Sequence, residues 1–165
     1  DLGALGFIVP VVESAPVFSD FLSHCLYPPK GRRGVGLSRA NVWGEDFDDY
    51  FSGFEPVLIP QIETKKGAEN VAEIVALDCV DGLFIGPYDL SADLDKPGDF
   101  ESLEYNNARG VIRDACIDHG KLAGIHQVAP NIDELMIRRQ EGYKFIAFGT
   151  DLIAMRYAFQ KLTKT

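Results

Sequence analysis

Five short apolar runs punctuate the chain: Gly6–Val12 (GFIVPVV), Pro56–Ile62 (PVLIPQI), Gly82–Ile85 (GLFI), Leu122–Ile125 (LAGI) and Phe145–Phe148 (FIAF). Each is nearly continuous in apolar character rather than alternating, which predicts strands of a sheet covered on both faces. Pro60 stands out within its run, because it cannot donate to a ladder. Between the runs the pattern predicts helices over Ala15–Tyr27, Lys66–Ala76, Leu103–His119, Asn131–Gln140 and Leu152–Leu162. Lys66–Ala76 carries apolar residues at 71, 72, 75 and 76. Leu103–His119 places Val111, Ile112, Ala115 and Cys116 on one face, with Gly120 as its stop. Pro130–Asn131 is a helix-start signal.

A strand–helix unit repeated in this way, with no hairpin signal, predicts a parallel α/β sheet. Five units suit either an open doubly wound sheet or part of a closed barrel. The chain has no GxGxxG after a strand and no GxxxxGK[ST], so nucleotide-binding open sheets lose support. The stretch Leu26–Trp43 (LYPPKGRRGVGLSRANVW) breaks the rhythm with two prolines, three glycines and the cations Lys30, Arg32, Arg33 and Arg39. A loop of this length reads as functional, returning over the top of the sheet.

Working residues in parallel α/β folds sit where strands end. That rule selects Glu63 after the second run, Gly86-Pro87-Tyr88-Asp89 after the third, His126 after the fourth and Gly149-Thr150-Asp151 after the fifth. Glu63 and Asp89 are the sharpest pair. Two carboxylates on neighbouring strand ends repel unless one is protonated or a cation lies between them, and a hard divalent cation suits such oxygen ligands. The structural alternative has Glu63 capping the helix at Lys66 and Asp89 capping a short turn. Asp151 reads as a helix N-cap, Glu45–Asp49 as a solvated helix start, and His24 and His119 as solvent-facing.

Composition narrows the partners. At 165 residues, 46% hydrophobic and 25% charged, the chain suits one globular domain. A net charge of −9 disfavours nucleic acid, which requires a basic face. No run is long enough to span a membrane and no signal-peptide pattern is present. Cys25, Cys79 and Cys116 are too irregularly spaced for a disulfide framework or a zinc site, and read as buried thiols in a reducing cytoplasm. The start at Asp1, a few residues before an apolar run, reads as a piece of a longer chain.

The strings QIET (Gln61–Thr64), GPYDLSADL (Gly86–Leu94) and YPPKGRRGVG (Tyr27–Gly36) resemble, in order and approximate spacing, the signature segments of the HpcH/HpaI aldolase/citrate lyase family of class II pyruvate aldolases. The resemblance covers essentially the whole chain. It implies the C-terminal part of a single (β/α)8 TIM barrel spanning 1–165, with about three N-terminal βα units missing. It also implies metal ligation by Glu63 and Asp89, with Mg²⁺ or Mn²⁺, or Co²⁺, as the cofactor.

The implied reaction is carbon–carbon cleavage of a 4-hydroxy-2-oxo acid to pyruvate, or a similar 2-oxo acid, and an aldehyde, through an enolate stabilised by the metal. Gln61, Gly86, Pro87 and Tyr88 would contact the substrate, with the amides of Tyr88 and Asp89 receiving its carboxylate. Arg33, Gly34 and Val35 would line the mouth near the aldehyde. Asp1 would lie near a metal-bound water, and His126, where an apolar residue is usual, would add a polar contact to a hydroxylated acceptor. The family's general-base histidine and its substrate-polarising arginine would lie on the missing units, leaving this chain inactive alone. A homo-oligomer is expected. A citrate-lyase-like or malyl-CoA-type lyase is the alternative, with only the Lys30–Arg39 stretch as a basic surface for CoA. A non-catalytic degenerate barrel is the other.

Overall fold

All five apolar runs form strands, and each strand pairs in parallel with its neighbour in the chain. They are β1 (Gly6–Val9), β2 (Val57–Ile62), β3 (Gly82–Ile85), β4 (Leu122–Gln127) and β5 (Phe145–Phe148), in the sheet order β1-β2-β3-β4-β5. A doubly wound sheet reverses its order at a switch point. This one never does, so its order is that of a partial barrel. The computed structural model describes the backbone of residues 1–163 and the side chains of 1–160. Residues 164–165 of the unit expected over 1–165, and the side chain of Leu162 in its last expected helix, lie outside the described residues.

The connecting helices are α1 (Ala15–Cys25), α2 (Phe47–Gly53), α3 (Lys65–Glu69), α4 (Val71–Val75), α5 (Pro87–Asp93), α6 (Leu103–Asp118), α7 (Ile132–Gln140) and α8 (Asp151–Thr163), with a 3-10 turn over Arg39–Gly44. One face of the sheet presents Leu58, Ile62, Leu83, Ile85, Ala123 and Ile125 to the helices, where they meet Phe18, Leu22, Ile74, Val75, Ile112 and Cys116 in a continuous core. Burying each of the Leu, Ile, Val and Phe side chains among them contributes about 1.5–3 kcal/mol. On the other face Phe84 and Phe145 pack with ring centroids 5.3 Å apart. Gly124 makes room for them, since a Cβ there would lie 2.9 Å from the Phe145 ring and 3.0 Å from the Phe84 ring.

Several expectations need correction. Only β3 is buried throughout. β1 alternates exposed and half-buried residues, and β5 is half-buried to exposed, because they are the sheet's two edges. Pro60 is tolerated where it falls, opposite Val9, the last residue of β1. β4 runs two residues past the apolar stretch, so His126 lies within the strand rather than after it. The single helix expected over Lys66–Ala76 is two helices meeting at Asn70, whose amide donates to the Glu13 carbonyl at 2.8 Å. Val71, Ile74 and Val75 are buried there, while Ala72 and Ala76 are exposed.

Val111 is exposed on α6, and the buried face is instead Tyr105, Arg109, Ile112 and Cys116. Gly120, with φ +65°, follows the end of α6 as expected. Thr150, not Asp151, caps α8: its hydroxyl accepts from the Ile153 amide at 3.3 Å, and Asp151 is the first helical residue. Of the cysteines only Cys116 is buried, and burial pushes its thiol up to about 11. Cys79 is exposed in the turn after α4, where no core covers it. His24 and His119 are exposed, as expected. Among the described residues no helix is long and apolar enough to cross a membrane.

Candidate metal and substrate site

The parallel register determines which side chains can meet. Ile62 of β2 pairs with Ile85 of β3, so the next residues, Glu63 and Gly86, emerge side by side at the same end of the sheet. Alternation along β2 sends Leu58 and Ile62 to the helices and Gln61 and Glu63 to the opposite face. Glu63 is buried at 6% exposure and is held from two sides. Its Oε1 accepts from the Val11 backbone N–H at 2.8 Å, and its Oε2 accepts from Gln61 Nε2 at 2.5 Å. Each oxygen keeps a further lone pair.

Gly86 closes the cradle. A Cβ on it would lie 2.6 Å from Glu63 Oε2 and 2.8 Å from Gln61 Nε2. The next residues open α5, with Pro87 at its first position and Asp89 in its first turn. The first intrahelical bond runs from Leu90 N–H to the Gly86 carbonyl at 2.9 Å, so the amides of Tyr88 and Asp89 precede it and are orphan donors of the helix start. Glu63 and Asp89 line one open hollow together with Val11, Thr64, Ala92 and Asp93.

The capping alternative for both carboxylates does not hold. Thr64 caps α3, its hydroxyl accepting from Gly67 N–H at 3.0 Å, and Asp89 caps no helix. Thr64→Ala is therefore expected to destabilise the fold by about 1 kcal/mol, read from urea denaturation. A loss indistinguishable from zero would show that the cap contributes nothing.

The remaining expected site residues fall elsewhere. Pro87 and Tyr88 line a second cavity on the helix side, which His126 borders from β4 while strand alternation turns its side chain to the face of Gln61 and Glu63. Asp1 is exposed and pairs with Arg33 at 2.7 Å. The Arg33 guanidinium stacks over Tyr27 at 4.4 Å and Phe54 at 4.9 Å, and reaches the Tyr50 hydroxyl at 3.5 Å. Gly34 and Val35 are exposed beside it. Neither Asp1 nor residues 33–36 line the Glu63–Asp89 hollow. Nothing in the local pattern marks Val11 for its part in holding Glu63. Its φ of +53° is unusual for a β-branched residue and turns its N–H toward Glu63.

The family model for HpcH/HpaI aldolase/citrate lyase matches residues 1–158. The chain belongs to this family. It is 37% identical over 168 residues to the 5-keto-4-deoxy-D-glucarate aldolase of Escherichia coli (strain SMS-3-5 / SECEC), an alignment covering 100% of this chain and 64% of that protein. The chain thus spans less than two thirds of this relative's length. An HpcH/HpaI aldolase/citrate lyase family protein from Burkholderia cenocepacia J2315 superposes with a TM-score of 0.88 at 29% identity, covering 97% of this chain and 65% of that one. The citrate lyase beta subunit of M. tuberculosis, solved with oxaloacetate and magnesium, shares the fold at a TM-score of 0.53 and 20% identity, over 94% of this chain and 61% of its own.

Whether a cation fits can be judged from the donors. All candidate ligand atoms are carboxylate oxygens, the set that suits Mg²⁺ or Mn²⁺. Glu63 is already oriented by N–H groups behind it, as ligands of a metal site are. Among the described residues no third His, Cys, Asp or Glu joins the pair as a ligand cluster. Two protein carboxylates leave positions for water and substrate, so the donor set fits.

Proposed function

We propose that this chain forms the metal-binding part of a divalent-metal-dependent carbon–carbon lyase. Its substrate would be a 4-hydroxy-2-oxo acid, split to pyruvate or a similar 2-oxo acid and an aldehyde on a (β/α)8 barrel. The observation that carries this reading is the shared hollow of Glu63 and Asp89, with Glu63 locked by Val11 and Gln61. Family membership and the aldolase relative support it. The ion would be Mg²⁺ or Mn²⁺, with Co²⁺ also compatible, and when bound it supplies Lewis acidity toward the keto acid.

The chain's own residues do the rest. Val11 N–H and Gln61 Nε2 fix one ligand carboxylate, so no reorganisation is needed when substrate arrives. Gly86 keeps that oxygen unobstructed. The orphan amides of Tyr88 and Asp89 would receive the substrate carboxylate. Arg33 and Asp1, paired with each other, would order the loop at the aldehyde side, and His126 would contact a hydroxylated acceptor. A homo-oligomer in the cytoplasm is the setting we infer.

A CoA substrate fits less well. Three of the four cations in the basic loop are already paired: Lys30 with Glu55, Arg32 with Asp20 and Arg33 with Asp1. The test is Mn²⁺ binding by calorimetry with and without oxalate, an analogue of the 2-oxo acid, on the parent chain, Glu63→Ala and Asp89→Ala. Oxalate should tighten Mn²⁺ binding in the parent, and both variants should lose the effect. Equal Mn²⁺ affinity in all three proteins, each shown folded by circular dichroism, would sink the reading.

A further inference from the structure

A second cavity, of about 340 Å³, lies on the helix side of the sheet. Its walls come from the end of β4, the starts of α5 and α6, and from α7 and α8. Ala123 and Ile125 point from β4 into the helix-side core, and Gln127, two residues on, shares their face. Glu63 and Asp89 take no part in this cavity, which is distinct from theirs.

One buried polar atom in its walls lacks a partner. Gln127 is 4% exposed, and its Nε2 donates to the carbonyls of Ala129 at 2.9 Å and Asn131 at 2.7 Å. This fixes the amide's orientation and leaves Oε1 buried with no donor. Tyr105 is 1% exposed and lines the same cavity. Burial holds that phenol up at about 12, so it remains a neutral donor. Native proteins rarely leave a buried acceptor such as Gln127 Oε1 unpaired.

Arg156 adds a charge. It lines the cavity from α8 as a solvent-exposed side chain, and among the described residues no carboxylate forms an ion pair with it. Arg138, by contrast, is committed to Glu134 at 3.2 Å and Glu141 at 3.1 Å, which also neutralises the carboxylate of Glu134 in the wall. Tyr88, Phe100 and Tyr157 supply an apolar side. The cavity thus offers an anion partner, a neutral donor and an unmet acceptor within a volume at the small end of ligand sites.

We propose that this cavity binds a small hydroxylated carboxylate, whose carboxylate meets Arg156 and Tyr105 and whose hydroxyl donates to Gln127 Oε1. A sulfate ion has no hydroxyl to donate to Gln127 Oε1, and a neutral polyol offers no charge to Arg156. The site does not depend on the lyase reading. It does touch the same segment, because Pro87 and Tyr88 line this cavity while the next residue, Asp89, faces the other hollow.

The probe is D-glycerate, titrated onto the metal-free chain and followed by saturation-transfer NMR. Arg156→Gln should weaken binding by about tenfold, as loss of a charge-assisted hydrogen bond implies. Tyr105→Phe, which keeps the packing, should weaken it severalfold. Glu63→Gln should leave it unchanged. No binding by a parent chain shown folded, undiminished binding by Arg156→Gln, or loss of binding in Glu63→Gln would each overturn the proposal.

Discussion

Gly86→Ala is expected to weaken Mn²⁺ binding by about 10- to 100-fold while changing the unfolding free energy by less than about 1 kcal/mol. The two effects separate because of what the new methyl would meet. Gly86 has φ −91° and ψ 96°, ordinary for any residue, so the backbone is not strained by a side chain. The nearest atoms are Glu63 Oε2 at 2.6 Å and Gln61 Nε2 at 2.8 Å, the far ends of their side chains, with Glu63 Cβ at 3.0 Å, a contact that a shift of a few tenths of an ångström relieves. Moving aside, however, takes the oxygen off the geometry that Val11 and Gln61 impose. Parallel metal titration and urea denaturation would check this. A variant that binds Mn²⁺ like the parent would show that Glu63 is not a ligand, or that the cradle is slack.

The largest stability effect is expected away from the site, at Glu141. Arg109, buried in the core, pairs bidentately with this carboxylate at 2.6 and 3.2 Å, and Arg138 joins at 3.1 Å. Glu141→Ala would strand the Arg109 guanidinium, whose Nε already lacks a partner, at a cost of about 3 kcal/mol. Burial alone would raise the Glu141 carboxyl, but the hydrogen bonds from Arg109 and Arg138 prevail and hold it below the ordinary value of 4.5. A carboxyl depressed in the folded state stabilises above its unfolded pKa, and that contribution fades as the pH falls through the folded pKa. Glu141→Gln removes this component, so the stability gap between it and the parent should narrow from about pH 7 to about pH 3. A gap independent of pH would locate the stabilisation in packing instead.

How far the sequence disclosed these features depended on the physics behind each. Strands β3 and β5 were legible residue by residue because apolar runs mark them fully, whereas β4 hid its last two residues behind the polar pair His126 and Gln127. Helix α5 was invisible as a helix. It is short, and its opening GPYD resembles a turn until Pro87 is recognised as a first helical residue. The break at Asn70 follows from a tertiary bond to Glu13, which no local pattern encodes.

Glu63 and Asp89 are legible as a pair because each follows the end of one of two neighbouring strands, and the structure puts them in one hollow. The groups that hold Glu63 are not legible in the same way. Val11 acts through its backbone, which any residue type carries, and the link spans 52 positions of sequence. Arg33 was legible as a cation in an acidic chain, but its aromatic box of Tyr27 and Phe54 depends on how the loop folds back.

The strand order carries a consequence for how the molecule is made. Every strand after β1 has its partner on one side already synthesised when it leaves the ribosome, since β2 docks on β1, β3 on β2, and so on to β5. A sheet whose spatial and temporal orders coincide can grow by adding units to a finished edge, without holding an unpaired strand open for a later insertion.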